Sequence, residues 1–126
     1  MILLDSDVLI WHTRGHAGAK ARLAQVNPWR ISTITYLELA QGCRSKEELQ
    51  RAKRGLARKK TEIIPITPAI CERAMALIDA HALSDGLQLA DALIAATAIE
   101  HDLALLTANT RHFAAIQGIT IERFEP

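Results

Sequence analysis

The chain has 126 residues, of which 49% are hydrophobic and 23% charged, a balance typical of a globular protein rather than a disordered one. Domains usually contain about 100–150 residues, so we expect one domain over residues 1–126. The segment MILLDSDVLIWH carries two acids within its apolar run and no basic residue before it, which argues against a signal peptide or a spanning helix. We therefore expect a cytoplasmic protein that has no membrane partner.

Net charge is +1 overall but is distributed unevenly along the chain. Residues 44–60 hold eight basic and two acidic residues, a net charge of +6, and the remainder of the chain carries −5. A small protein polarised in this way offers a surface for a polyanion beside an acidic region. The alternative is a solvated helix face that binds no partner.

The apolar pattern predicts strands that alternate with helices. The N-terminal strand has three consecutive aliphatic residues and stops at acids, as a buried parallel strand does when its carboxyl end carries function. Further strands are predicted at 29–33, 62–67, 103–107 and 119–124, and helices at 17–26, 33–43, 45–60, 68–82 and 89–101, with a turn at 84–86. Pro65 suggests an edge position for the strand at 62–67. This alternation indicates a parallel sheet covered by helices on both faces.

Polar residues follow the predicted strands, at the edge where ligands bind in parallel sheets. Asp5 ends the first strand, and Thr107 and Asn109 end the fourth. Glu38 and Asp91 are expected in the first turns of helices that follow neighbouring loops, each within an apolar stretch. A carboxylate buried alone would lose its charge, so these acids need a cation or a helix N-terminus.

Three clustered carboxylates imply a divalent ion between them, because each pair at 4 Å repels by roughly 4 kcal/mol at an effective dielectric near 20. Ligands that are all oxygen favour Mg²⁺ or Mn²⁺ over zinc. Such an ion orients and activates water for phosphodiester cleavage. Taken singly, each acid has another interpretation: Asp5, Asp7 or Asp91 as a helix cap, and Glu38 as a surface residue.

Four short motifs lie at these strand ends. They are Asp5-Ser6 before Val8-Leu9-Ile10, Ser32 and Thr35 before Glu38-Leu39, the run Asp-Ala-Leu-Ile-Ala-Ala from Asp91 to Ala96, and Thr107 with Asn109 and Phe113. Together they resemble the PIN domain, and especially the toxin ribonucleases of VapBC toxin–antitoxin modules. The resemblance runs along essentially the whole chain, and its third motif is the most specific.

The resemblance implies an α/β fold of three layers, α/β/α, around a central parallel sheet of about five strands. It also implies an endoribonuclease toxin that uses Mg²⁺ or Mn²⁺, forms a homodimer and is blocked by a cognate VapB-type antitoxin. The candidate catalytic residues are Asp5, Glu38 and Asp91, which with Asn109 are also the candidate metal ligands. Supporting roles are expected for Ser6, Asp7 and Thr107, and RNA binding for Arg51, Arg54 and Arg58.

Two positions depart from the family pattern. Asp7 stands where the family more often has Asn or Ser, so it either caps the next helix or adds negative charge beside the metal. Asn109 is an acid in some relatives, which leaves open whether one or two ions bind. The five histidines have no mutual metal-ligand spacing and are interpreted as surface or packing residues.

A haloacid-dehalogenase-like phosphatase is the main alternative enzyme. Asp5-Ser6-Asp7 after a strand also opens that superfamily, with the first Asp as a nucleophile. Against it, Leu9 stands where a Thr or Val is expected, the chain is short, and Glu38 has no role. A third hypothesis is a degenerate PIN fold that binds RNA or a partner without cleavage, which the presence of all three acids argues against.

Overall fold

The computed structural model describes residues 1–126 and confirms the α/β class. Its strands are β1 (Ile2–Leu4), β2 (Arg30–Ser32), β3 (Glu62–Ile64), β4 (Ala104–Thr107) and β5 (Ile121–Arg123). Its helices are α1 (Ser6–Thr13), α2 (Ala17–Ala24), α3 (Thr33–Gln41), α4 (Lys46–Arg58), α5 (Pro68–Asp85) and α6 (Leu89–Glu100), with one 3-10 turn at Thr110–His112. None of the helices combines the length and the apolar character needed to cross a membrane.

All strand pairs are parallel, as predicted, but the strands form two sheets rather than one sheet of five. β4 is the central strand of the sheet β1-β4-β5, and β2 pairs only with β3. β1 and β2 lie side by side without ladder hydrogen bonds. Because each strand has only three or four residues, a small distance between two neighbouring strands removes all the backbone hydrogen bonds between them. β3 is an edge strand that ends directly before Pro65, in agreement with the sequence prediction.

Neighbouring residues of the strands face two separate hydrophobic cores, because successive side chains of a strand point to opposite faces. Leu3 and Leu105 pack in the core formed with α5 and α6. Leu4 and Leu106 pack in the core formed with α1, α2, α3 and α4. The predicted arrangement of three layers, with the strands between two layers of helices, is therefore confirmed.

Side-chain caps set the starts of the helices that frame the carboxyl edge of the strands. Ser32 Oγ accepts a hydrogen bond from Ile34 N at 3.1 Å at the start of α3, which satisfies an N–H group without a helical partner. The predicted turn at 84–86 is instead the last turn of α5 and its cap. Gly86 ends that helix with a φ of +69°, a conformation that glycine adopts without a steric penalty.

Candidate active site

Asp5 joins the end of β1 to the start of α1, where it is the N-cap. Its Oδ1 accepts a hydrogen bond from Ser6 N at 2.8 Å, and its Oδ2 accepts one from Thr107 Oγ1 at 2.7 Å. The residue is only 5% exposed. Asp5 therefore lies at the carboxyl edge of β1 and β4, as the sequence predicts.

The charged form of Asp5 is unfavourable in this position. Burial, and then the charge of Asp7, raises its pKa to about 7. The hydrogen bonds from Thr107 and Ser6 oppose this increase, and the charge of Asp91 adds to it. Since Asp91 acts on Asp5 from α6, the fold brings these acids from distant parts of the chain into one neighbourhood.

Glu38 reaches the same neighbourhood through Ser6. The Ser6 hydroxyl donates to Glu38 Oε1 at 2.8 Å and lies 3.4 Å from Asp5 Oδ1. Glu38 lies in the second turn of α3, and its predicted place in the first turn is wrong. The predicted helix and the observed α3 both begin at residue 33, so a full turn of helix precedes Glu38.

Asp7 lies in the first turn of α1 and ties this helix to the loop after β4. Its Oδ1 accepts from Val8 N at 2.7 Å, and its Oδ2 accepts from Ala108 N at 2.9 Å. Burial raises the pKa of Asp7, although hydrogen bonds from backbone N–H groups oppose the increase. Asp7 thus supports the N-terminus of α1, where the cap position belongs to Asp5, and it also adds negative charge beside Asp5.

Thr107 connects the first motif to the fourth. It is fully buried, and its hydroxyl donates to Asp5 and accepts from Asn109 N at 3.0 Å. Asn109 itself is exposed. The hydrogen bond to its backbone therefore fixes the loop from which the Asn109 side chain projects.

Asp91 lies in the first turn of α6, as predicted, and has a basic neighbour that the sequence did not reveal. His112 Nδ1 lies 3.4 Å from Asp91 Oδ2, whereas sequence reasoning assigned the histidines to surface or packing roles. The available signal was the position of His112 in the TANTRHF segment, three residues after Asn109. Sequence reasoning also missed Arg123, which the register of β4 and β5 places beside Thr107.

The three arginines of α4 do not join the carboxylates. Arg51, Arg54 and Arg58 are all exposed. Arg51 and Arg58 line an open cavity of about 160 Å³ that also contacts His12, near the C-terminal end of α1. The basic helix therefore lies beside one end of α1, and Asp5 lies at the other end.

The donor set fits a hard divalent cation by its chemistry. Carboxylate oxygens are the ligands that Mg²⁺ prefers, and the charges of Asp7 and Asp91 that help to raise the pKa of Asp5 show that further carboxylates lie close to it. The residues that would hold such an ion are Asp5, Glu38 and Asp91. As they stand, no three His, Cys, Asp or Glu side chains are close enough to enclose a metal ion. The acids are therefore neighbours rather than a closed cage.

Comparison with known sequences matches nearly the whole chain to one family. A family model for the PIN domain matches residues 2–119. Ribonuclease VapC10 from Mycobacterium tuberculosis is 39% identical over 123 residues, which cover 94% of this chain and 90% of that protein.

Solved structures show the same fold over the same extent. A toxin–antitoxin complex from Klebsiella pneumoniae superposes with a TM-score of 0.80 at 36% identity, covering 95% of this chain and 96% of that one. VapBC2 from Rickettsia felis, bound to a DNA fragment from its promoter, superposes with a TM-score of 0.82 at 25% identity, covering 99% and 100%. Sequence, fold and the placement of the motif residues agree, and the chain belongs to the PIN-domain family.

Proposed function

We propose that residues 1–126 act as one PIN domain, a metal-dependent endoribonuclease that serves as the cytoplasmic toxin of a type II toxin–antitoxin system. The observation that carries this proposal is the geometry of the site: the buried Asp5 carboxyl is linked through the Ser6 hydroxyl to Glu38, and Asp91 of α6 lies close enough to help raise the pKa of Asp5. The similarity to Ribonuclease VapC10 supports RNA as the substrate. The similarity to the Klebsiella pneumoniae toxin–antitoxin complex and to VapBC2 from Rickettsia felis supports a VapB-type antitoxin as the partner.

Each side chain has a distinct task in the proposed reaction. Asp5, Glu38 and Asp91 would hold Mg²⁺ or Mn²⁺, and such an ion would supply positive charge for the scissile phosphate and make water a stronger nucleophile. Ser6 fixes the Glu38 carboxylate through its hydroxyl, and Thr107 fixes Asp5. Both carboxylates are therefore oriented before RNA binds. Hydrogen-bond partners of metal ligands commonly have this effect.

A cleavage assay on mixed RNA, run beside a phosphomonoester assay, separates this function from its alternatives. We expect RNA cleavage in Mn²⁺ or Mg²⁺, none in EDTA, and no hydrolysis of a phosphomonoester. Phosphatase activity that is lost in Asp5→Asn would favour the haloacid-dehalogenase-like mechanism. RNA binding without cleavage would favour the degenerate fold. The link from Asp5 through Ser6 to Glu38 supports the nuclease, because the phosphatase alternative gives Glu38 no role.

The exposed arginines of α4 are proposed to guide RNA phosphates toward the acids. The triple substitution of Arg51, Arg54 and Arg58 by Gln should weaken RNA binding and reduce the magnitude of the negative slope of log K against log salt by up to about 2. The reason is that each lost phosphate contact in a single strand removes about 0.7 from that slope. Binding titrations at several salt concentrations are the measurement, and an unchanged slope would indicate a solvated helix face.

The substitution Asn109→Asp tests whether one or two ions bind. Asp5, Glu38 and Asp91 bring three formal negative charges, or four if Asp7 turns inward, against four positive charges on two divalent ions, and only RNA phosphate would complete the compensation. We therefore expect one tight ion or none without RNA, and a second ion recruited by the scissile phosphate. Asn109→Asp should tighten the second ion by roughly tenfold. Calorimetric titration with Mn²⁺ measures this, and two tight sites in the unmodified protein would place Asn109 outside the metal shell.

A symmetric homodimer is also proposed, since two-fold symmetry is the commonest among soluble oligomers. Large apolar side chains on and beside α5 are exposed, among them Met75, Leu83 and Leu89. Light scattering should give the mass of a dimer, and a monomer at high micromolar concentration would contradict this proposal.

Coexpression of the cognate antitoxin should suppress the toxicity of the protein, and failure to do so would contradict the toxin role.

A further inference from the structure

A second group of basic side chains lies where the loop after β4 faces β5. Asn109, Arg111, His112 and Arg123 line an open cavity of about 320 Å³, together with Ala108 and Thr110. No acidic residue lines this cavity. Its lining is therefore suited to an anion, in contrast to the acids beside it.

This cavity adjoins the carboxylate site directly. Asn109 N donates to Thr107 Oγ1, and the same hydroxyl donates to Asp5 Oδ2. The register of the sheet pairs Thr107 with Arg123, and His112 Nδ1 lies 3.4 Å from Asp91. An anion bound in the cavity would therefore lie next to a phosphate bound at the acids.

Both arginines are free to bind such an anion. Arg111 forms no ion pair within the chain. Arg123 meets only Glu125, at 3.4 Å, and the two side chains are 66% and 74% exposed. An exposed ion pair of this kind contributes little to stability, so an incoming phosphate can replace Glu125 as the partner of Arg123.

We propose that Arg111 and Arg123 form an anion site that holds the RNA phosphate next to the scissile one, an inference that rests on the proposed ribonuclease function. A guanidinium group binds phosphate through two parallel hydrogen bonds, which fixes position as well as adding attraction. A cluster of acids repels a polyanion, and a basic cavity that adjoins it offsets this repulsion.

The position of this site also indicates the path of a bound RNA strand across the protein. Arg123 belongs to β5, at one end of the series of strands. The basic helix α4 lies at the other end, where Leu56 and Ala57 share a cavity with Ile63 of β3. The carboxyl edge of β1 and β4 lies between these ends, so a single-stranded RNA that follows this edge from α4 to Arg123 passes the carboxylates.

Equilibrium binding of a short single-stranded RNA in EDTA tests the anion site without cleavage. The double substitution of Arg111 and Arg123 by Gln should weaken binding by roughly tenfold at low salt and reduce the magnitude of the negative salt slope by about 0.7, the value for one phosphate contact. Both residues are exposed, so thermal unfolding should be unchanged.

Arg73→Gln is the matched control for this experiment. Arg73 pairs with Glu100, which lies nine residues beyond Asp91 on α6, or about 14 Å along the helix at 1.5 Å per residue. Its affinity and its salt slope should match those of the unmodified protein. The same affinity and slope in the double variant and in Arg73→Gln would overturn the anion site.

Parallel cleavage assays in Mn²⁺ distinguish failure of the anion site from failure of the proposed function. RNA binding that is weakened only in the double variant, by a protein that does not cleave RNA, would support the anion site and contradict the nuclease. Normal RNA affinity in the double variant, with a weakened complex with the antitoxin, would overturn the assignment to RNA phosphate.

Discussion

Asp5→Asn, Glu38→Gln and Asp91→Asn should each lower metal-dependent RNA cleavage by about 100-fold or more and leave the fold intact. The amide keeps the size of the carboxylate but has no charge, so both ion binding and stabilisation of the scissile phosphate are lost. Removal of one preorganised electrostatic group from an active site typically costs this much. The measurement is the initial rate of cleavage of a defined RNA in Mn²⁺, with circular dichroism to confirm folding.

Glu72→Gln provides a matched control for these three variants. Glu72 is an exposed acid of α5, so its loss removes one negative charge without touching the carboxylates or the arginines of α4. Its cleavage rate should equal that of the unmodified protein. Activity near that of the unmodified protein in all three site variants would contradict the assignment of Asp5, Glu38 and Asp91.

The metal-free Asp5→Asn variant should be more stable than the wild type above pH 7, by up to roughly 4 kcal/mol. The reason is the pKa of Asp5, which burial and then the charge of Asp7 raise from 3.8 to about 7. The amide can retain the local hydrogen bonds. Its oxygen accepts from Ser6 N, and its NH₂ donates to Thr107, whose own proton can turn toward Asp7 Oδ2 at 3.4 Å.

This gain in stability should depend on pH in one direction. A carboxyl whose pKa is raised by folding favours the folded state below its unfolded pKa, and this contribution is lost as the pH rises through the folded pKa. For Asp5 this pH range lies between 3.8, the ordinary pKa of the carboxyl, and its pKa of about 7 in the folded protein. The difference in unfolding free energy between Asp5→Asn and the wild type should therefore be smallest near the lower limit and largest above the upper one.

Denaturant unfolding in EDTA over this pH range measures the difference, and Asp79→Asn on the exposed side of α5 serves as the control. Mn²⁺ should then stabilise the wild type, by roughly 2.7 kcal/mol at 100 times its Kd, but should have little effect on Asp5→Asn. A difference that stays constant with pH, or equal stabilisation of both proteins by Mn²⁺, would contradict the proposed role of Asp5.

The positions of the strand-end residues could be predicted from the sequence. Asp5 and Thr107 follow aliphatic runs, and Asp91 begins an apolar helix. Parallel strands bring their carboxyl ends to one edge, so the order of strands and helices is enough to place these residues there. Their placement does not depend on the details of side-chain packing.

Contacts between distant segments could not be predicted in this way. The hydrogen bond from Ser6 to Glu38 depends on how α1 packs against α3, which the order of the elements does not determine. The proximity of Arg123 to Thr107 depends on the register of β4 and β5, and the separation of β1 from β2 depends on a few hydrogen bonds. None of these features leaves a periodic pattern in the sequence.

The most direct test of the proposed hydrolysis is RNA cleavage in ¹⁸O-labelled water by protein freed of antitoxin. With Mn²⁺, each cleavage should place one ¹⁸O atom in the phosphate of the new RNA end, because water is the nucleophile. Cleavage should cease in EDTA and in Asp91→Asn. Ends that carry a 2′,3′-cyclic phosphate, or cleavage that continues in EDTA, would show that the RNA hydroxyl attacks the phosphate and that the carboxylates do not hold a catalytic metal.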